Sequence, residues 1–395
     1  MSERILAQDV LMSNDTWQTG LNNNDLIIGT SGCGKTRGYV KPNILWCNES
    51  MIIADTKGSI RADVEPHLLK NGYKIINMDF KNCLQSDGYN PLDYIQSEQD
   101  IMTVAACIVP VTDERDPFWS LSARFYVEAM IGYTLECLPK NEHNMISVFK
   151  LFAEMNTFKF RYLFEELGID NPESFAFKRF AMFRDSGKAE KMYESIRGFI
   201  AQALSTMTFD GVKSMFSNPN RIRFEQLGEE KTAVFLNTSD TDRSSDKLVS
   251  LFFTQALHAL CNHADNSPGN RLKIPVRFML DDFASGTHIP DFDKIVSVIR
   301  SREISTSIIL QSISQLEALY GHAKAKTILN NCDNLLYLGG QDVETAHYIG
   351  MKANKSATSI LTMPLDDAWL FSRGQEPRQV QKFVPLSAYN IGRSL

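Results

Sequence analysis

The chain has 395 residues and a formal net charge of -6, with 43% hydrophobic and 22% charged residues. This length suffices for two or three domains, and the composition is that of an ordinary soluble globular protein. The acidic balance excludes a general nucleic-acid-binding surface, so any DNA contact must be local. No apolar run approaches the ~20 residues of a membrane span, and no signal-peptide pattern opens the sequence.

A phosphate-binding pattern stands near the start of the chain. Residues 1–24 are polar and rich in asparagine, and they are predicted to lead into a short apolar strand at 26–28. Directly after it, residues 29–36 read GTSGCGKT, the G-x-x-x-x-G-K-T pattern of a phosphate-binding loop. The residues predicted to bind nucleotide are Gly29, Thr30, Ser31, Gly32, Cys33, Gly34, Lys35 and Thr36.

Each residue type in this loop suits the chemistry. The glycines allow the backbone to turn tightly and to direct successive N–H groups at phosphate oxygens. Lys35 is predicted to reach the β- and γ-phosphates, and the hydroxyl of Thr36 is predicted to bind Mg²⁺. Because Pro42 soon follows, the helix after the loop is expected to end early or to kink.

Short apolar strands recur along the rest of the chain, separated by helical stretches. This pattern is typical of a parallel sheet with both faces covered. The further predicted strands lie at 51–55, 74–79, 231–236, 276–282, 306–311 and 334–338, with helices at 247–263 and 291–300.

The middle of the chain has a different character. From about 99 to 217, apolar residues recur at spacings of three and four, which predicts helices and few strands. We therefore predict a nucleotide-binding domain in two parts, residues 1–98 and 218–395, interrupted by an all-α domain at 99–217. The sequence thus favours an α/β fold with a mainly parallel sheet and an inserted helical domain.

A basic and aromatic stretch lies inside the helical region. Phenylalanines and Tyr193 alternate there with lysines and arginines, as DNA contact by stacking and phosphate binding would require. Acidic residues are interspersed, and phenylalanines at helical spacing are usually core, so a packed helix with a solvated charged face is the alternative. The basic residues are Lys178, Arg179, Arg184, Lys188, Lys191 and Arg197.

The predicted strand at 276–282 ends in two carboxylates. Asp281 is predicted to hold Mg²⁺, and Asp282 to orient and deprotonate the attacking water. Gln311 ends the next predicted strand, where an amide can sense the γ-phosphate, although it can equally be an ordinary strand terminus. Arg300 lies between them and is predicted either to act as an arginine finger in a neighbouring subunit or to cap a helix end.

Several of these motifs together resemble the type IV secretion coupling proteins, membrane-associated ATPases that link a relaxase-bound DNA strand to a conjugative transfer channel. The likeness covers roughly residues 20 to 390 and is closest to members from Gram-positive conjugative elements. The matching segments are GTSGCGKTRGYVKPN at 29–43, DTKG at 55–58, YNPL at 89–92, DPFW at 116–119, LDDFAS at 280–285, IPDF at 289–292 and LQS at 310–312.

The resemblance implies a RecA-like P-loop ATPase that works as a homo-hexamer with ATP and Mg²⁺. It assigns Lys35 and Thr36 to nucleotide and metal, Asp281 to the metal, and Asp282, Gln311 and Arg300 to catalysis. It also implies single-stranded DNA with its relaxase as cargo, relaxosome proteins at the all-α domain, and a secretion-channel or membrane partner. The expected location is the cytoplasmic face of the cell membrane, with this chain itself soluble.

The sequence departs from the family pattern in three respects. Where members often read Asp-Pro-Lys-Gly-Glu, this chain has Thr56 and Ser59. The second carboxylate is usually glutamate, whereas Asp282 is one methylene shorter, so hydrolysis could be slow. Members usually carry transmembrane helices upstream, so this chain is expected either to be a soluble part or to dock on a separate membrane protein. Two other functions stay open: a viral or chromosomal translocase of double-stranded DNA, and a nucleotide-gated docking module with negligible hydrolysis.

Overall fold

The structure is a computed structural model that describes residues 2–46, 48–56, 58–111, 115–184, 190–239, 241–283 and 288–385. The chain divides into two compact units. One comprises residues 1–78, 223–241 and 256–395, and the other comprises residues 79–222 and 242–255. The three domain ranges given above stay a prediction.

Eleven strands occur in the described residues, most of them short and rich in apolar residues. They are β1 (Glu3–Ala7), β2 (Val10–Ser13), β3 (Asp25–Ile28), β4 (Ser50–Ala54), β5 (Lys74–Asp79), β6 (Thr232–Asn237), β7 (Val276–Leu280), β8 (Ile304–Leu310), β9 (Asn334–Tyr337), β10 (Asp367–Ser372) and β11 (Arg378–Gln381).

Within the described part of the chain, nine of these strands form one sheet in the order β11-β10-β9-β3-β8-β7-β4-β6-β5. Strand β3 pairs in parallel with both β8 and β9, and β7 pairs in parallel with β8 and β4. The antiparallel pairs are β9 with β10 and β10 with β11. The predicted α/β class with a mainly parallel sheet is therefore confirmed, while β10 and β11 were not predicted.

Sixteen α-helices connect the strands in the described residues. They are α1 (Thr16–Thr19), α2 (Lys41–Leu45), α3 (Ser59–Lys70), α4 (Glu98–Ile108), α5 (Phe118–Cys137), α6 (Met145–Ala153), α7 (Phe158–Asp170), α8 (Phe175–Arg184), α9 (Glu190–Leu204), α10 (Asp210–Ser217), α11 (Asp246–Asp265), α12 (Phe292–Val298), α13 (Ile313–Tyr320), α14 (His322–Asn330), α15 (Val343–Ala353) and α16 (Ala357–Leu361). No helix in the described ranges combines the length and apolarity needed to cross a membrane.

The helical segment after β3 is short, as predicted, but Pro42 is not its end. A π-helical turn over Thr36–Val40 leads directly into α2, and the backbone stays helical at Val40 and Lys41. Pro42 occupies the first turn of α2, where its missing N–H donor costs little. The segment ends at Leu45.

The start of the chain is part of the first unit, so its interpretation as a mere lead-in was wrong. Strands β1 and β2 form an antiparallel hairpin. Arg4 on β1 is 2% exposed, and its guanidinium donates to both carboxylate oxygens of Asp25 at 2.7 and 3.0 Å. This buried bidentate ion pair therefore links the hairpin to Asp25, the first residue of β3.

The second unit is helical and has an aromatic core. Phe160 and Phe164 of α7 pack with Phe180 of α8, whose ring stacks on Phe164 at a centroid distance of 4.7 Å. In the basic stretch, Arg179 pairs with Glu128 at 3.1 Å and lies over the Phe175 ring. For the residues described, the packed-helix interpretation is thus favoured over stacked DNA bases. Lys188 lies outside the described residues.

Candidate nucleotide-binding site

The loop after β3 lies at the carboxyl edge of the sheet, between β8 and β9. Its backbone depends on glycine at three positions. Gly32 and Gly34 have φ angles of 79° and 98°, which L-residues rarely adopt. At Gly29 a Cβ atom would stand 2.4 Å from the Cys33 sulfur, so a side chain there would force the Cys33 side chain to move.

Lys35 is held against the loop that precedes it. Its side chain is buried, and its Nζ donates to the carbonyl oxygens of Gly29 at 2.7 Å and of Thr30 at 3.1 Å. An ammonium group has three N–H donors, and two of them make these hydrogen bonds. The third suits a phosphate, because a charged oxygen accepts a stronger hydrogen bond than a carbonyl does. Lys35 therefore places one cation against the loop, where a phosphate could bind.

Thr36 and Asp281 meet, although they lie 245 positions apart in the sequence. The Thr36 hydroxyl donates to Asp281 Oδ2 at 2.7 Å, and the backbone N–H of Asp282 donates to Asp281 Oδ1 at 3.1 Å. Burial raises the pKa of Asp281 above its ordinary value, and the hydrogen bond from Thr36 offsets this only in part.

A hydroxyl and a carboxylate in contact fit a hard cation such as Mg²⁺, which proteins usually hold through one or two carboxylates plus substrate phosphates. Among the residues that the structure describes, no group of three or more His, Cys, Asp or Glu side chains forms a metal cage. Mg²⁺ at Thr36 and Asp281 would therefore complete its coordination with phosphate oxygens and water.

Asp282 and Gln311 are also neighbours. They follow the adjacent strands β7 and β8, and Gln311 Nε2 lies 3.5 Å from Asp282 Oδ1. Asp282 has a φ of 51°, a left-handed conformation that aspartate tolerates better than most residues. The structure thus brings a carboxylate and an amide together beside Asp281, where one could activate a water and the other position it.

Arg300 is not near these groups. It follows α12 and precedes β8, so it lies at the opposite, amino edge of the parallel strands. Its side chain is exposed, and Nη2 donates to the Thr16 carbonyl oxygen at 2.9 Å. Arg300 cannot serve the site of its own chain from this edge, and a catalytic role requires a second subunit.

No sequence motif indicates the cavity beside the phosphate loop. The cavity has a volume of about 530 Å³ and lies between the loop, the residues after β9, and segments from the last 40 residues of the chain. Lys382, directly after β11, lines it, and its Nζ donates to the Cys33 carbonyl oxygen at 3.3 Å. Lys382 was missed because it belongs to no motif and follows a strand that was not predicted.

Asp55, in the DTKG segment, has a local structural role. Its side chain is 2% exposed, and Oδ2 accepts a hydrogen bond from the Arg61 backbone N–H at 2.8 Å. It therefore stabilises the first turn of α3. Lys57, in the same segment, lies outside the described residues, as do Ala284 and Ser285 of the LDDFAS segment.

Comparison with known proteins gives consistent matches. The family described as "Type IV secretory system Conjugative DNA transfer" matches residues 2–383. The protein VirD4 of Agrobacterium fabrum is 22% identical over 346 residues, which cover 82% of this chain and 48% of VirD4. VirD4 of Rhizobium rhizogenes is 21% identical over 345 residues, covering 82% and 48%. The chain thus spans about half the length of the curated relatives it matches.

Solved structures match over nearly the whole chain. The bacterial conjugative coupling protein TrwBdeltaN70, in a trigonal form in complex with sulphate, superposes with a TM-score of 0.74 and 17% identity, covering 98% of this chain and 90% of that one. Plasmid coupling protein TrwB in complex with ADP and Mg²⁺ gives a TM-score of 0.72, 16% identity, and coverages of 98% and 90%. At this identity the likeness establishes a shared fold.

Proposed function

The chain belongs to the type IV secretory system conjugative DNA transfer family, and from this premise we propose that it is an ATPase that couples a DNA-processing complex to a secretion or conjugation channel. The observation that carries the proposal is the contact between Thr36 and Asp281 beside the loop that carries Lys35. Phosphate-binding and metal-binding groups converge there at one edge of the sheet, as nucleotide hydrolysis requires.

In this proposal each residue of the site has a separate role in binding or hydrolysing ATP. Lys35 and the loop N–H groups bind the β- and γ-phosphates of ATP, and Thr36 and Asp281 hold Mg²⁺. When bound, Mg²⁺ neutralises charge that develops on the phosphate oxygens. Asp282 accepts a proton from the attacking water, and Gln311, beside it, keeps that water in line.

The proposed partners follow from family membership. They are single-stranded DNA with its relaxase, relaxosome proteins at the helical unit, and a channel or membrane protein, with action at the cytoplasmic face of the membrane. We propose a homo-hexamer because family membership suggests it, and in that hexamer Arg300, at the opposite edge of the sheet from its own chain's site, would act on a neighbour's nucleotide. Double-stranded DNA, translocated by the same machinery, is the alternative cargo.

A second candidate is a docking module that binds ATP and hydrolyses it negligibly. The observation that favours it is the short side chain of Asp282, which is held in a left-handed backbone conformation and lies 3.5 Å from Gln311. If that pair leaves no room for a reactive water, ATP binding would assemble a complex without turnover.

ATP hydrolysis by the purified chain tests the proposal. Turnover is measured with and without single-stranded DNA, with double-stranded DNA, and over a range of protein concentrations, beside Lys35→Ala. The proposal expects turnover that rises with single-stranded DNA and with concentration and vanishes in Lys35→Ala. Stimulation by duplex DNA alone would favour the alternative cargo, and ATP binding without turnover under all conditions would favour the docking module.

A further inference from the structure

An exposed tryptophan lies at the amino edge of the parallel strands. Trp17 is on α1, a four-residue helix before β3, and the residue is 75% exposed. A helix of one turn has little stability of its own, because fixing that turn costs more than one hydrogen bond returns. Here Asp15 Oδ1 accepts hydrogen bonds from the N–H groups of Trp17 and Gln18 at 2.9 and 3.0 Å, and Gly20 ends the turn in a left-handed conformation.

Two arginines bind α1 at its two ends. Arg300, before β8, donates to the Thr16 carbonyl oxygen at 2.9 Å, and Arg373, after β10, donates to the Gly20 carbonyl oxygen at 2.7 Å. Trp17 is therefore exposed on a turn that other parts of the fold hold in place. A large aromatic side chain in such a setting is typical of the anchor of a protein–protein interface, because little conformational freedom is lost when it binds.

A second exposed apolar surface lies at the carboxyl edge, beside the phosphate loop. Leu365, two residues before β10, is 87% exposed, and Val384, after β11, is also exposed. Both residues line the cavity that the phosphate loop borders. Since β10 is antiparallel to β9, it begins at the carboxyl edge of the parallel strands. The first unit thus has an exposed apolar surface at each of two opposite edges.

The charged residues beside the two surfaces have opposite signs. Exposed Arg300 contacts the turn that carries Trp17, and exposed Asp366 directly follows Leu365. A triphosphate bound in the loop adds further negative charge at the carboxyl edge. Apolar surfaces flanked by opposite charges favour docking of one edge on the other. Because the two edges of one chain face in opposite directions, each can meet its complement only in another copy.

We propose that copies of this chain dock head to tail, with Trp17 of one copy packed on Leu365 and Val384 of the next and with Arg300 directed at the phosphate loop of that next copy. The inference rests on the proposed function, since it names the residues that form the interface of the proposed homo-hexamer. A head-to-tail contact leaves one edge of each kind free, so further copies add until a ring closes. Each candidate site then gains the arginine that its own chain places at the opposite edge.

Sedimentation velocity of the full chain tests this docking, with Mg²⁺ and a non-hydrolysable ATP analogue present. Two exposed residues are changed separately, by Trp17→Ser at the amino edge and Leu365→Ser at the carboxyl edge. Leu69→Ser is the matched control, because Leu69 is 56% exposed on α3 and belongs to neither surface. Exposed side chains contribute little to folding, so all three variants should unfold in urea like the natural chain.

The inference expects the natural chain and Leu69→Ser to assemble beyond dimers. Trp17→Ser and Leu365→Ser should each need about tenfold higher concentration or more to assemble. A mixture of these two variants should form dimers and stop there, because each chain keeps the edge that the other lacks and only one intact interface results.

Assembly that is unchanged in Trp17→Ser, or in Leu365→Ser, would overturn the inference, and so would a natural chain that stays monomeric at every concentration. These results leave the proposed ATPase standing if ATP binding is still lost in Lys35→Ala. ATP binding that does not depend on Lys35, in a chain whose assembly does depend on Trp17, would instead remove the proposed function and keep the interface.

Discussion

The hydroxyl of Thr36 and the carboxylate of Asp281 are joined by a hydrogen bond of 2.7 Å. The contact crosses from the phosphate loop after β3, past the intervening strand β8, to the end of β7. Both groups are oxygen ligands of the kind that Mg²⁺ prefers, and they are close enough to bind the same ion.

Replacing Thr36 by valine removes the hydroxyl and keeps the shape of the side chain. We expect ATP affinity in Mg²⁺ to fall by about tenfold, because the metal loses one protein ligand, while affinity in EDTA changes little. Calorimetric titrations under both conditions measure this, with Thr327→Val on α14 as the control. Equal losses with and without Mg²⁺ would mean that Thr36 supports the fold of the loop and does not bind the metal.

Asp281→Asn is expected to stabilise the protein without nucleotide. Burial raises the pKa of Asp281, so the folded chain holds that proton more tightly than the unfolded chain. The stability that the protonated Asp281 carboxyl contributes is therefore present at low pH and is lost as the pH rises through the raised pKa. Asparagine cannot ionise, so the variant should be more stable than the natural chain at neutral pH.

Urea denaturation from about pH 4 to about pH 8 tests this expectation, because that range begins near the ordinary pKa of 3.8 and extends above it. The gain should shrink as the pH falls, and Mg²⁺ with ATP should no longer stabilise the variant. A variant that is less stable than the natural chain at every pH would show that Asp281 serves the fold mainly as a hydrogen-bond acceptor.

Asp282 is the residue whose substitution separates the motor from the docking module. If Asp282 is the general base, Asp282→Asn should lower turnover by about 100-fold or more with ATP affinity retained. Asp282→Glu should not raise it, because the left-handed conformation costs a glutamate about 1 kcal/mol and Gln311 already lies beside the shorter side chain. A marked gain of turnover in Asp282→Glu would support the docking module.

Arg300 is tested by mixing subunits. Arg300→Ala and Lys35→Ala are each expected to be inactive alone, and an equimolar mixture should regain hydrolysis, because some interfaces then pair an intact loop with an intact arginine. Steady-state turnover of the mixture against each variant measures this. Full activity of Arg300→Ala by itself would assign the residue to the contact with Thr16 and nothing more.

Arg277 is a buried arginine that lies beside two acidic residues. Its side chain is 1% exposed, forms an ion pair with Glu49, and lies 3.6 Å from Asp25. Arg277→Met removes the ion-pair partner of Glu49 and leaves Asp25 with Arg4 alone, so the free energy of unfolding should fall by about 3–5 kcal/mol.

The control for that variant is Arg302→Met. Arg302 pairs with Asp265 at 2.8 Å, but both side chains are partly exposed, so its loss should cost less than about 1 kcal/mol. Urea denaturation of the two variants measures the difference. Similar losses for both would show that the buried network contributes no more than a surface pair.

The sequence predicted the family and the fold class, and both are confirmed. Strands such as β4 and β7 were predictable because a parallel strand covered on both faces is largely apolar. The N-terminal hairpin was not predictable, because its link to the sheet is the polar contact between Arg4 and Asp25, which leaves no periodic pattern.

The candidate site was predictable where a motif fixes the residues, as it does for Lys35 and Asp281. The cavity could not be predicted, because Lys382 reaches the loop through an antiparallel edge strand at the end of the chain. Only the folded topology brings these distant segments together. The catalytic assignments themselves stay predictions until turnover is measured.

The distance along the chain between Thr36 and Asp281 bears on how the protein is made. A ribosome adds about 5–20 residues each second, so the phosphate loop emerges on the order of tens of seconds before the carboxylate that it contacts. During that interval β3 lacks both of its neighbours in the sheet, β8 and β9, which come later still. Until Asp281, β8 and β9 have been synthesised, a nascent chain therefore lacks the complete candidate site, and β3 lacks its neighbours in the sheet.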